Sequence, residues 1–166
     1  HHKHQDKSNF HLKFYLFLIL FLKGVANAAP FLIENLDKNK INVVAFVTSW
    51  CPVCQKTNDY LLSLAQKNNG VFITLLFVDE EIPSTISKNS NLELISITQN
   101  SAKEFGVNQS VPYILVFDKE LKVVKKYNSF NKDLLSNLIT NLKNGLYENG
   151  TLPPEQRIDL WQKNRF

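Results

Sequence analysis

Two cysteines stand where a stretch of strand character meets a stretch of helix character, and this junction constrains the fold more than any other feature. Residues 41–49 are almost continuously apolar and rich in β-branched and aromatic side chains, which predicts a strand buried on both faces. Over Pro52–Lys67 apolar residues recur at helical spacing, and residues 68–70 (Asn-Asn-Gly) predict the helix end. Cys51 and Cys54 therefore lie at the start of a helix that directly follows a strand.

The rest of the chain continues this alternation of strands and helices. The further predicted elements are a buried strand at 71–78, a short strand at 92–97, a short helix at 101–107, two hairpin strands at 112–117 and 122–127, and a helix at 132–143. Asn131 is the predicted N-cap of the last helix, and Gly145 closes it. This order predicts an α/β fold in which helices flank a central mixed β-sheet.

The first 28 residues differ from the remainder. A basic start leads into nine apolar residues (14–22) and then Ala26-Asn27-Ala28, the order typical of a secretory signal peptide. The apolar run is too short for a spanning helix. We therefore expect a signal peptide at 1–28, a domain at 29–145 and a C-terminal extension at 146–166 that can form a helix. The predicted location is the bacterial periplasm, with membrane anchoring if the leader is not cleaved, and the cleaved protein should have no stable membrane span.

Removing the leader changes the charge balance and the available side chains. The leader contains all four His residues, four Lys and one Asp, so the remainder has 15 basic and 14 acidic residues. A nearly neutral domain argues against nucleic-acid binding. Without His, neither a His-based metal site nor a Ser/His/Asp triad is available, and we expect no metal and no cofactor.

The spacing of the cysteines suits thiol–disulfide exchange. A thiolate attacks a disulfide, and a second thiol resolves the mixed disulfide that results. Cys51 lies where the helix N-terminus favours an anion, and Cys54 follows within bridging distance, so Cys51 is the predicted attacker and Cys54 the predicted resolver. Two alternatives stay open: half of a zinc site, which lacks further Cys or His ligands, and a structural disulfide, which closes too short a loop to stabilise much.

The run Ser-Trp-Cys-Pro-Val-Cys at 49–54, with Ser-Val-Pro at 110–112 before a later strand, resembles the thioredoxin superfamily. The resemblance implies that Pro112 is a cis-proline and that Val111 offers its backbone to the substrate. It also implies that Trp50 is a partly exposed ring that shapes the substrate groove; the alternative is a core aromatic. Tyr113 is expected to pack rather than to contact substrate.

The chain resembles the extracytoplasmic TlpA-like proteins, most of which act as reductants. Three features carry this resemblance: the long separation of the cysteines from Pro112, the leader and the Trp-Cys-Pro-x-Cys motif. Two positions depart from plain thioredoxins. Ala45 replaces a buried acid, and an apolar residue near Leu75 replaces a lysine. The usual proton carrier for the second cysteine is therefore missing, with Asp79 or Glu80 as the candidate substitutes.

These observations predict an exported thiol–disulfide oxidoreductase that acts as a reductase. Its expected partners are protein substrates with thiols or disulfides and a membrane or periplasmic redox partner. The alternatives are a Dsb-type oxidase or isomerase, and a redox-inactive binding module with a static disulfide. The C-terminal extension, which contains Trp161, either packs on the domain or docks a partner.

Overall fold

The computed structural model describes residues 35–67, 70–79, 81–107, 110–146 and 157, which all belong to one compact unit beginning at Asn35. The elements are β1 (Ile41–Val47), α1 (Pro52–Lys67), β2 (Val71–Phe77), β3 (Leu92–Ser96), α2 (Gln99–Glu104), β4 (Tyr113–Phe117), β5 (Val123–Tyr127) and α3 (Lys132–Lys143). The predicted signal peptide lies outside the described residues, as does the C-terminal extension apart from Leu146 and Arg157. The domain boundaries therefore stay predictions.

The five strands form one mixed sheet in the order β3-β2-β1-β4-β5. β1 is parallel to β2, and β2 is parallel to β3, whereas β4 is antiparallel to both β1 and β5. Every residue of β1 and β2 is buried, as the continuous apolar runs predict for strands covered on both faces. The predicted central mixed sheet flanked by helices is confirmed.

The ends of several elements differ from the predictions by one to three residues. β1 stops at Val47 because the chain turns toward the cysteines from Thr48 onward. α2 begins at Gln99 because the Thr98 hydroxyl accepts a hydrogen bond from the Ser101 N–H at 3.1 Å and so caps the helix earlier than apolar spacing indicates. That helix ends at Glu104, three residues before the predicted end, and Gly106, on which the helix was expected to end, has a φ of +88° that suits glycine.

Two apolar layers cover the sheet. On one face, alternate residues of β1 and β2 pack with buried residues of α1 and α3, including Leu61, Leu135 and Leu138. On the other face, the Phe46 ring lies 5.8 Å from Phe105 and 6.1 Å from Tyr113, measured between ring centroids. Tyr113 therefore packs in the domain, as expected.

The end of the sheet where β4 turns into β5 has a buried ion pair. The Asp118 carboxylate accepts backbone hydrogen bonds from Glu120 and Lys122, each at 2.9 Å, and an Arg157 Nη1 contact at 2.6 Å. Both charged side chains are 6% exposed. Arg157, whose backbone lies in neither helix nor strand, thereby ties its part of the C-terminal extension to the domain.

In the described part of the chain, none of the helices is both long enough and apolar enough to cross a membrane.

Candidate active site

The two cysteines occupy defined positions in the first turn of α1. The Cys51 carbonyl accepts the first helical hydrogen bond, from the Gln55 N–H at 3.0 Å, so Cys51 is the N-cap residue. Pro52 follows at the first helical position, where a missing N–H costs nothing. The Cys54 N–H points at Cys51 Sγ from 3.4 Å, as N-cap side chains are usually hydrogen-bonded. The helix start therefore places an anion-stabilising donor on the Cys51 sulfur.

Cys51 has an acidic thiol. Desolvation on its own would raise the pKa, but hydrogen bonds from the Cys54 backbone N–H, the Cys54 thiol and the Val53 N–H outweigh it. The net result is a pKa below the ordinary 9.0. Cys51 is also partly exposed, so an external disulfide has access to the thiolate.

Cys54 has the opposite character. Its side chain is fully buried, and this burial raises the pKa of the thiol to about 11. The neighbouring Cys51 raises it further, while the Thr48 backbone and hydroxyl oppose the shift. Thr48 Oγ1 is buried and has no hydrogen-bond partner in the described structure. Cys54 thus stays protonated while Cys51 ionises.

The core next to Cys54 is apolar. Ala45 and Leu75, which replace the acid and the lysine of plain thioredoxins, are fully buried and are directly paired between β1 and β2. Both belong to the same hydrophobic cluster as Cys54. The groups that act on the Cys54 pKa are Thr48 and Cys51, and no carboxylate is among them. Asp79 is not among these groups, and its role as the proton carrier stays a prediction; Glu80 lies outside the described residues.

Asp79 instead holds the loop before the cysteines. Its Oδ2 accepts hydrogen bonds from the Ser49 hydroxyl at 2.5 Å and the Ser49 N–H at 3.0 Å. Partial burial alone would raise the Asp79 pKa, but the bonds from Ser49 hold it below its usual 3.8. Because β1 and β2 are parallel neighbours, their C-terminal ends bring these two residues together. The carboxylate fixes the backbone directly before Trp50 and Cys51.

The second predicted segment of the site has the expected backbone. The Val111–Pro112 peptide bond is cis, and Pro112 is buried. Val111 is half-buried and packs against the core cluster that contains Cys54. None of the backbone hydrogen bonds in the described chain uses the Val111 N–H or C=O. These groups are available to pair with an extended peptide, as the predicted role requires.

Trp50 is 70% exposed, so the alternative of a core aromatic is wrong. Its ring and Val111 line the same pocket of about 230 Å³. The structure thus brings Trp50, Cys51, Cys54, Val111 and Pro112 to one end of the sheet. Their proposed catalytic and substrate-binding roles stay predictions.

Sequence reasoning missed several residues at this end. Thr48, which acts on Cys54, and the link from Ser49 to Asp79 were not identified. The sequence did contain a signal for them: a polar residue follows each of two predicted strands that lie side by side in parallel, so their C-terminal ends meet. Gln99 and Lys103, which line the pocket from α2, were also missed, although their spacing of four places them on one helix face.

Comparison with known proteins agrees with this geometry. A family model described as Redoxin matches residues 26–142, which is more than half of the chain. None of the curated proteins matches the sequence. In the described part of the chain, no three Cys, His, Asp or Glu side chains converge as a metal site.

Several solved structures share the fold. A thioredoxin-like protein from Aeropyrum pernix has a TM-score of 0.53 at 16% identity, covering 65% of this chain and 80% of its own. A protein described as thiol:disulfide interchange protein DsbE from Chlorobium tepidum has a TM-score of 0.53 at 16% identity, with coverages of 63% and 81%. Fasciola hepatica thioredoxin has a TM-score of 0.50 at 20% identity, with coverages of 70% and 92%. The thioredoxin-like fold is confirmed, and the chain belongs to the Redoxin family.

Proposed function

We propose that the protein exchanges thiols and disulfides with other proteins, and that Cys51 attacks and Cys54 resolves. The observation that supports this most directly is the opposite shift of two thiol pKa values within one helical turn. The Cys51 thiol is partly exposed and its pKa is lowered, whereas the Cys54 thiol is buried in the core and its pKa is raised to about 11. A static disulfide would need neither an accessible thiolate nor such a difference.

The reaction proceeds in two displacements. The Cys51 thiolate attacks one sulfur of a substrate disulfide; a Cys51–substrate disulfide forms, and the other substrate sulfur leaves as a thiolate that takes a proton from water. Cys54 then gives its proton to water and attacks Cys51 Sγ, which releases the second substrate thiolate, to be protonated by water, and leaves a Cys51–Cys54 disulfide. Two electrons pass from the protein to the substrate, and a reduced partner protein must return them.

The first displacement favours the second because it lowers the pKa of Cys54. While Cys51 is a thiolate, its charge raises the Cys54 pKa. When Cys51 becomes part of a mixed disulfide, that charge disappears, so the Cys54 proton leaves more easily. The Thr48 backbone and hydroxyl favour the thiolate that forms. No carboxylate is needed for this sequence of events, which fits the apolar surroundings formed by Ala45 and Leu75.

We further propose that the protein is exported to the bacterial periplasm and acts there as a reductase, drawing electrons from a membrane or periplasmic partner. Export is based on the leader-like residues 1–28, and the reducing direction on the resemblance to TlpA-like proteins. A retained leader would anchor the same domain to the membrane.

The exchange reaction is tested by insulin reduction in the presence of dithiothreitol. The wild type should accelerate insulin precipitation, and C51A should show only the uncatalysed rate. C54A should accumulate a mixed disulfide that survives non-reducing electrophoresis. Equal rates for wild type and C51A would disprove the proposed activity.

The direction of electron flow is tested separately by trapping thiols in intact cells. Acid quenching followed by alkylation should find Cys51 mostly reduced at steady state. A mostly oxidised Cys51 would overturn the reductase proposal in favour of a disulfide-forming role, while the exchange chemistry itself would stand.

A further inference from the structure

The pocket beside the reactive cysteine extends well beyond the sulfur atoms. Trp50 and Val111 form its near side, next to the predicted path of the substrate backbone, and α2 forms its far side. A substrate peptide that pairs with the Val111 backbone would therefore project a neighbouring side chain toward α2. This arrangement makes α2 a determinant of which side chain is accepted.

The floor of the pocket, formed by its buried lining residues, is apolar apart from Thr48. Val78, Ala102 and Val107 are all buried and all line it. Such a floor favours the methylene groups of a long side chain, because contact with it removes apolar surface from water.

The far side of the pocket is polar and positively charged. Gln99 and Lys103 are exposed, lie one turn apart on α2 and line the pocket together. Lys103 is the only ionisable side chain among the lining residues, and within the described part of the chain it forms no salt bridge. Two acidic residues directly follow lining residues in the sequence: Asp79, whose carboxylate is already bonded to Ser49, and Glu104, which is exposed and does not line the pocket.

We propose that Lys103 makes this pocket a specificity site for glutamate in the substrate polypeptide, close in sequence to the cysteine that Cys51 attacks. The aliphatic part of the glutamate lies on the apolar floor, and its carboxylate pairs with the Lys103 ammonium and the Gln99 amide. This inference rests on the proposed exchange reaction and names the class of segment that the reaction prefers.

The test uses synthetic peptides with one cysteine held as a mixed disulfide with thionitrobenzoate, and with Glu, Gln or Lys at a neighbouring position. The pre-reduced protein attacks the peptide sulfur, so the S–S bond breaks, coloured thionitrobenzoate leaves, and Cys54 then frees the peptide thiol. The second-order rate constant for wild type should be about 2- to 10-fold larger for the Glu peptide than for the Lys peptide at low salt. This preference should shrink at high salt because the pair is partly exposed.

Three variants locate the preference. K103Q should bring the Glu-to-Lys ratio close to one, and K103E should reverse it. K119E makes the same change in net charge at an exposed position of the β4–β5 turn, at the other end of the sheet, and should keep the wild-type ratio. The Gln peptide should react at similar rates with wild type and K119E, and far-UV circular dichroism checks that all three variants are folded.

The outcomes separate this inference from the exchange reaction. If wild type reduces all three peptides equally, or if K119E changes the ratio as much as K103E does, the specificity site is disproved and the exchange reaction stands. If wild type reduces none of the peptides faster than C51A does, the proposed function itself fails.

Discussion

The two ends of the sheet treat buried polar groups differently. At the closed end, where β4 turns into β5, both oxygens of Asp118 accept hydrogen bonds and Arg157 balances the charge. At the reactive end, where β1 runs toward the cysteines, Thr48 Oγ1 and Asp79 Oδ1 are buried without a hydrogen bond in the described structure. The polar groups of the closed end are paired, whereas at the reactive end Thr48, which acts on the Cys54 thiol, has a hydroxyl without a hydrogen-bond partner.

The largest effect should come from breaking the closed end. Arg157→Ala leaves the 6% exposed Asp118 carboxylate without its cation, and we expect the free energy of unfolding to fall by about 3 kcal/mol. Urea denaturation measures this loss. Alkylation of Cys51 by iodoacetamide should keep its rate, because the ion pair lies at the other end of the sheet.

The matched control for that prediction is Lys119→Ala, an exposed change in the same turn that should cost under about 0.5 kcal/mol. An Arg157→Ala protein as stable as this control would show that the closed end is not an anchor.

A second effect should appear at high pH and only at the reactive end. The Cys54 pKa is about 11 in the folded protein and about 9.0 when unperturbed, so folding favours the neutral thiol. The stabilisation is complete below pH 9 and is lost as the pH rises toward 11. Unfolding of the reduced protein by urea should show this alkaline loss, and Cys54→Ala should lack that part of it. Identical slopes for the two proteins would contradict the raised pKa.

A smaller effect separates stability from chemistry at Thr48. Thr48→Val replaces a buried hydroxyl that lacks a hydrogen bond by a methyl group of similar shape, so the reduced protein should gain about 1 kcal/mol of stability. The same change removes a group that lowers the Cys54 pKa, so the mixed disulfide with a substrate should resolve more slowly. Denaturant unfolding and single-turnover kinetics measure the two effects. A variant that is both less stable and equally fast would contradict this account.

The smallest effect should follow from Asp79→Asn. The Asp79 pKa is below 3.8 in the folded protein, so its contribution to stability is present above that pH and is lost as the pH falls toward the lower folded value. The stability of the variant should lack this dependence on acidic pH, and its Ser49 loop should be held less firmly. Thermal unfolding between neutral pH and about pH 3 compares the slopes, and Glu81→Gln serves as control because its contact with Ser49 is long, at 3.5 Å. Equal slopes for wild type and Asp79→Asn would contradict the lowered pKa.

Much of the fold was predictable because local patterns and burial agree. The continuous apolar runs of β1 and β2 are buried on both faces, and the N-cap of α3 is Asn131, as the sequence indicates. The strand before Cys51 and the cis bond at Pro112 also follow from motif and context. Element ends were less certain, because a cap such as Thr98 depends on a single hydrogen bond that apolar spacing does not reveal.

The sequence by itself determined the paired cysteines, their place at the start of a helix and the family-like segment at Pro112. Only the tertiary structure decided how different the two cysteines are, because the Cys54 pKa depends on burial among Ala45, Leu75 and their neighbours. It alone also joined Asp79 to Ser49 and Lys103 to the pocket of Trp50. Ser49 and Asp79 are 30 positions apart, and the parallel pairing of β1 with β2, rather than any local pattern, brings them together. Trp50 and Lys103 are farther apart in sequence and meet only because the folded domain places both at one pocket.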